Sequence, residues 1–300
     1  MRTKKMVSQG PAVVLIYGPS GSGKTTDMGY SFPNALFLAT RGALQSITHT
    51  CGYTPAQVEV KTIQDATKVI LDCKAKGAKF DAVVVDDFSF MAERTFAEVD
   101  KKFRGNNFAK WGKLSDITLE FRDATRHHHC HVVINCWEQP PKTTNDGVFR
   151  KGGPMLAGKL VEKVPSLCDQ VFRVGHEKSR AIWPSSYLCE KNHPRWLMKD
   201  RFGLVYNMNP APMNLAEILR EAGYEISRHK DLKDQEKTVE QLAQHFSHSD
   251  SINKDEVNKI FAALAQSSGG PKAAQWTIRD ALDRTIIRRA VATKNSRYFA

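Results

Sequence analysis

The chain has no apolar run approaching the about 20 residues that a membrane helix needs, although 41% of its 300 residues are hydrophobic. That argues against a helical membrane span and leaves ample material for a core, as one large domain or two smaller ones. The basic N-terminus (Arg2, Lys4, Lys5) lacks a signal-peptide cleavage pattern, so a cytoplasmic protein without membrane contact is expected. Six cysteines stand scattered, none in C-x-x-C spacing. This argues against a disulfide framework or a zinc knuckle and predicts reduced thiols. Acid is the minority charge, 32 Asp and Glu against 44 Lys and Arg, a net charge of +12. A nucleotide site alone does not need that excess. It predicts a polyanionic partner, nucleic acid rather than a membrane surface. There are no internal repeats and no low-complexity tracts.

What is present begins with Gly18–Thr25, GPSGSGKT. This is the phosphate-cradling pattern G-x-x-x-x-G-K-[ST]. The apolar run Val13–Tyr17 before it reads as a buried strand. Gly18, Gly21 and Gly23 let successive N–H groups turn toward an anion, with Pro19, Ser20 and Ser22 completing the loop. A helix starting near Lys24 adds its positive end. Lys24 is placed to reach the β- and γ-phosphates and the Thr25 hydroxyl to hold Mg²⁺, with Thr26 following on the helix. ATP and Mg²⁺ are the expected ligands.

Ala35–Ala39 reads as a second strand, Gln57–Lys61 as a short third, and Thr62–Lys76 as a helix ended by Gly77. Phe80–Asp87, FDAVVVDD, is an apolar β-branched strand ending in acid. Such a carboxylate holds the Mg²⁺ shell opposite the P-loop threonine, which assigns Asp86. Asp87 either polarises the attacking water or caps the next helix. In Lys101–Lys113 five basic residues stand among aromatics with no acid. Lys101, Lys102, Arg104 and Lys110 suit a phosphate backbone, and Phe108 suits an unpaired base; Trp111 reads as structural. Leu114–Arg126 reads as a helix. The run His127–His131 lacks a second ligand pair at metal spacing and reads as a helix-to-strand junction. His131–Asn135 is a buried strand, and Glu138 beyond its tip is a candidate sensor or base. Residues 139–159 form a long polar loop with Lys142, Arg150 and Lys151, placed where its order would respond to ATP. Short strands follow at Asp169–Val174, Arg180–Trp183, Tyr187–Glu190 and Trp196–Lys199, an antiparallel extension of the sheet. Lys199 and Arg201 share one side of a strand end.

Asn214–Ala222 reads as a capped helix. The core is expected over residues 1–227, a linker over 228–250 and a basic helical unit over 251–300. Residues 271–300 carry seven basic and two acidic side chains. That unit reads either as a DNA contact or as a helix packed on the core.

GPSGSGKT, FDAVVVDD, the HVVIN strand with Glu138, and KDRFG together resemble the RecA/RadA superfamily of P-loop ATPases. The order is most similar to the minimal RecA-like ATPases of phages that act in single-strand annealing and recombination. The resemblance covers roughly residues 10–225. It implies an α/β RecA-like core: a mostly parallel sheet flanked by helices, with an antiparallel extension and a small C-terminal helical unit. It also implies ATP bound between subunits of a ring or filament, and single-stranded DNA held by basic segments that match 101–113 and 139–157. Lys199 and Arg201 would complete a neighbour's site. The family's catalytic glutamate at the end of the second strand has no counterpart in Ala39-Thr40-Arg41-Gly42. Glu138 or Asp87 takes that role, or hydrolysis is slow. The expected function is a DNA-dependent ATPase. The alternatives are a nucleotide or small-molecule kinase with 139–159 as its lid, or a non-hydrolysing ATP-binding module.

Overall fold

A computed structural model describes residues 10–126, 129–158, 160–176, 185–227, 235–248, 253–267 and 271–298. The expected strand at Arg180–Trp183, His127, His128 and Lys159 lie outside these residues.

Six parallel strands form the centre of the sheet. They are β1 (Val13–Gly18), β2 (Ala35–Ala39), β3 (Ala56–Glu59), β4 (Ala82–Asp86), β5 (His131–Gln139) and β9 (Gln170–His176), in spatial order β9-β1-β5-β4-β2-β3. Beyond β9 the direction reverses: β10 (Ser185–Leu188), β11 (Lys199–Asp200) and β12 (Ala211–Pro212) pair antiparallel. The α/β class with an antiparallel extension, expected from the sequence, is the one observed, except that Asp169–Val174, expected within that extension, forms the parallel strand β9 beside β1. β5 lies between the P-loop strand and β4, with Ile16 beside Asn135 and Gly18 beside Trp137.

Strand alternation divides the core in two. Val14 and Ile16 face one cluster, with α1 (Lys24–Ser31) and α2 (Gln45–Cys51). Val13, Leu15 and Tyr17 face the other, with α3 (Ile63–Ala75), α4 (Phe88–Lys102), α5 (Asn107–Arg126) and α6 (Leu160–Leu167). α3 opens with a capping box between Thr62 and Asp65, and the cap expected at Asn214 is present, its side chain accepting from the Glu217 N–H.

Two regions depart from expectation. Residues 139–159 are not an irregular loop. β6 (Lys142–Thr143) and β7 (Phe149–Arg150) form a hairpin, and β8 (Gly153–Pro154) pairs with Glu138 and Gln139. Asp146-Gly147 supplies its turn, with Gly147 at φ 79°; Asp-Gly is a hairpin signal.

The second departure is the C-terminal region. α7 (Val205–Met208) and α8 (Leu215–Glu221) close the α1 side, and among the described residues α9 (Glu236–Ser247), α10 (Lys254–Ser267) and α11 (Pro271–Tyr298) follow. Trp276, Ile278, Ala281, Leu282 and Ile287 of α11 belong to the same cluster as Met28 of α1. Residues 236–247, expected within a linker, are helical and contribute Val239, Ala243 and Phe246 to that cluster. The described helices beyond residue 227 therefore pack as part of the core, not as a separate unit.

Candidate functional site

β1 ends where the backbone must turn tightly. A Cβ on Gly18 would lie 2.8 Å from that of Val174 and 2.9 Å from its carbonyl oxygen. Only glycine lets the two strands approach this closely. Gly23, at φ 86°, then opens α1, whose first N–H groups have no partner within the helix. Lys24 arches back over the loop, donating to the carbonyls of Gly18 (2.9 Å) and Pro19 (2.8 Å). Its ammonium is buried, which lowers its pKa, while Asp86 and Asp87 pull the other way.

The Thr25 hydroxyl donates to Asp86 at 2.7 Å. Asp86 is buried at the tip of β4, and that burial raises its pKa against the bonds from Thr25 and Asn135. The Asn135 amide donates to Asp86 at 3.4 Å, and its own oxygen is buried with no hydrogen-bond partner. A hydroxyl, a carboxylate and an unsatisfied amide oxygen thus converge. They are hard oxygen donors suited to Mg²⁺ and its water shell. A cavity of about 450 Å³ joins Ser20 through Thr26 to Ala43, Ser46, Asp86, Asp87, Asn135, Cys136 and Trp137. Among the described residues no group of three or more His, Cys, Asp or Glu stands at metal-binding distance, so a divalent ion here would take the Thr25 hydroxyl and the Asp86 carboxylate together with water and phosphate oxygens.

A family model described as AAA domain matches residues 10–202, more than half the chain. The chain belongs to the AAA domain family. No curated protein sequence matches it. Among solved structures, the RadB recombinase is similar at 18% identity and TM-score 0.38, covering 63% of this chain and 86% of that one. A KaiC-like protein from the hyperthermophilic archaeon Pyrococcus horikoshii OT3 is similar at 12% identity and TM-score 0.36, covering 63% and 84%. In this AAA domain, a P-loop ATPase domain, the cavity above is the one that the P-loop lines.

The other expected site residues fall in three places. Asp87 lines the pocket and also caps α4, accepting from the N–H groups of Ser89 and Phe90. Burial and the neighbouring Asp86 push its pKa up to about 6. Glu138 lies outside the pocket lining. It pairs with Arg173 at 3.0 Å, and that guanidinium stacks 3.9 Å from the centre of the Trp196 ring. The polar group of β5 that does line the pocket is Asn135, three residues earlier. Strand parity could have found it: Glu138 falls on the opposite face of β5 from Asn135 and Trp137.

Lys199 and Arg201 sit at the amino edge of the sheet, roughly 16 Å along the strands from the P-loop. Lys199 donates to the carbonyls of Ser166 and Cys168 at the end of α6, and Arg201 pairs with Asp169 at 2.9 Å. The Arg201 side chain remains 56% exposed.

The basic segments lie at the carboxyl edge. α4 and α5 form an antiparallel hairpin, with Phe88 against Phe121, Phe96 against Trp111 and Asp100 against Lys110. Its tip is about 22 Å from Phe88 along α4. Lys101, Lys102, Arg104 and Phe108 are exposed there, Phe108 at 92%. Lys110 differs from expectation: it pairs with Asp100 at 3.0 Å and is only 14% exposed, so it is not available to a phosphate. Trp111 packs on Phe96 and against Gly158, as a structural residue would, yet keeps an exposed edge. On the β6–β7 hairpin Lys142, Val148, Phe149, Arg150 and Lys151 are exposed; Lys151 donates to the His193 carbonyl. A cavity between the two hairpins is lined by Trp111, Leu114, Ser115, Arg150, Gly158, Leu160 and Lys163.

Proposed function

We propose that this AAA domain is an ATP-dependent ATPase that binds single-stranded DNA and promotes annealing or recombination as an oligomer, a ring or a filament. One observation carries the reading. Two hairpins that bear exposed cations and exposed aromatics stand at the same sheet edge as the nucleotide pocket. Cations follow a phosphate backbone without regard to sequence, and flat rings stack on unpaired bases. Lys101, Lys102, Arg104 and Phe108 form one side of the proposed track; Lys142, Phe149, Arg150 and Lys151 form the other.

Thr25 and Asp86 would hold Mg²⁺, which supplies charge neutralisation at the phosphates. Lys24 must exchange its carbonyl contacts for phosphate oxygens, so nucleotide binding rearranges the loop locally. β8 pairs with Glu138 and Gln139, the two residues that follow Trp137 of the pocket wall. A shift at the pocket is therefore passed directly to the β6–β7 hairpin. Oligomer formation would bring the exposed Arg201 of one copy, with Lys199, toward the phosphates of the next.

A specific observation favours slow turnover. Asp87 is engaged as a helix cap, Glu138 is engaged with Arg173, and β2 ends without an acid. A non-hydrolysing module, switched by binding alone, is therefore the second reading. Phosphate release measured with and without single-stranded DNA separates the two. Stimulated release supports the ATPase, and none at any DNA concentration supports the module. Filter binding of labelled oligonucleotides tests the DNA track itself: ATP-sensitive retention at low salt is expected. Retention that is absent, together with phosphate transfer to a nucleoside monophosphate, would mean a kinase instead.

A further inference from the structure

A second cavity, of about 240 Å³, adjoins the nucleotide pocket and shares Ser22, Gly23 and Thr26 with it. Its other walls are Asp27, Thr50, Ser185, Met213, Gln275, Trp276 and Arg279. Three of these belong to α11, outside the residues that the family model matches. The acids that face Mg²⁺, Asp86 and Asp87, line only the first cavity, so the two spaces extend from opposite sides of the loop.

That arrangement constrains the direction of a bound nucleotide. The β- and γ-phosphates belong with Lys24 and the Thr25–Asp86 pair, and the α-phosphate with the backbone cradle. The nucleoside must leave the loop away from the magnesium acids. The space on that side is the second cavity. Its wall is fixed by a clamp between the P-loop helix and α11. Arg279 pairs with Asp27 at 3.1 Å and stacks 4.3 Å from the centre of the Tyr30 ring. Tyr187 donates to the other oxygen of Asp27 at 2.5 Å. Gln275 stands four residues before Arg279, on the same helix face, and its side chain is exposed at the rim of the cavity. Met213 and Trp276 supply apolar surface, as nucleoside sites commonly do.

We propose that this second cavity is the nucleoside subsite and that Gln275 reads the base as adenine. A primary amide can donate to N7 of adenine and accept from its N6 amino group; guanine presents an acceptor where adenine has that donor. The inference rests on the P-loop reading of the first cavity, and the test separates the two. Calorimetric titration of the full chain with ATP, GTP and inorganic tripolyphosphate, each with Mg²⁺, reads both spaces at once. The wild type should bind ATP about 10-fold or more tighter than GTP, and tighter than tripolyphosphate. Gln275→Ala, an exposed helical position, should bring the ATP-to-GTP ratio near one while leaving tripolyphosphate binding unchanged. Gln275→Arg should tilt the ratio toward GTP, since an arginine pairs with O6 and N7 of guanine. An ATP-to-GTP ratio that is the same in all three proteins overturns the assignment of Gln275. Equal binding of ATP and tripolyphosphate by the wild type overturns the subsite and leaves the P-loop reading intact. Binding of none of the three overturns both.

Discussion

Two stretches of this chain look alike in sequence and end in opposite situations. Lys101–Lys113 and residues 271–300 are both basic, and both interleave cations with apolar residues. In the first, Lys101, Lys102 and Arg104 project from a hairpin tip into solvent. In the second, four cations are engaged by groups of the fold. Arg284, 1% exposed, meets Asp280 at 2.8 Å, Glu236 at 2.8 Å and Glu240 at 3.2 Å. Arg288 pairs with Glu240 at 2.8 Å, Arg279 with Asp27, and Arg289 donates to the last carbonyls of α9. Of the two readings of this stretch, the helix packed on the core is the one observed: four of its cations are held within the fold. A stretch of like charge does not reveal its use; the acids that other elements bring to it do.

The comparison can be broken by removing one charge from each side. Arg284→Met should lower stability by roughly 3–5 kcal/mol, because it removes the guanidinium that the buried Asp280 carboxylate meets at 2.8 Å. Arg104→Ala should stay within about 0.5 kcal/mol of wild type. Urea unfolding of the two variants checks both, and equal losses would erase the distinction.

A buried group whose burial outweighs the pull of a nearby acid, Asp81, gives an intermediate case. His131 accepts from the Ala12 N–H, and burial holds its pKa at about 4, against 6.5 for an exposed histidine. A depressed folded pKa means stability that is complete above pH 6.5 and is lost as pH falls toward 4, when the unfolded chain takes the proton first. The loss should reach roughly 3 kcal/mol at about 1.4 kcal/mol per pKa unit. His131→Gln should flatten that part of the stability-against-pH curve.

On the functional side Lys24→Ala should weaken ATP binding about 100-fold, as expected for a lost charge-assisted contact, with an unchanged melting temperature. Replacing Lys101, Lys102 and Arg104 together by alanine should reduce the slope of log affinity against log salt by about 2, at roughly 0.7 per phosphate on a single strand. An unchanged slope would place the strand elsewhere.

Much of this was legible in the sequence for local reasons. GPSGSGKT, the β4 tip and the Asn214 cap each depend on neighbours only a few residues away, and each sits where its spacing put it. The use of Asn135 was legible only in part: strand parity separates it from Glu138, but its role depends on β5 inserting between β1 and β4, a pairing with β1 across more than a hundred residues. The fate of Lys110 turned on Asp100, ten residues back across a helical hairpin. The burial of Arg284 turned on acids from α8 and α9. The β6–β7 hairpin was legible at Asp146-Gly147 but was outweighed by the proline and glycine content around it.

The central claim is that nucleotide at the P-loop changes how firmly the neighbouring hairpins hold an unpaired strand. Anisotropy titration of a labelled oligo-dT with the full chain, with and without Mg²⁺-ATP and at several salt concentrations, measures that coupling directly. Several-fold tighter binding with nucleotide, abolished in Lys24→Ala, is the expected result. Superimposable isotherms with and without ATP at every salt concentration would contradict it.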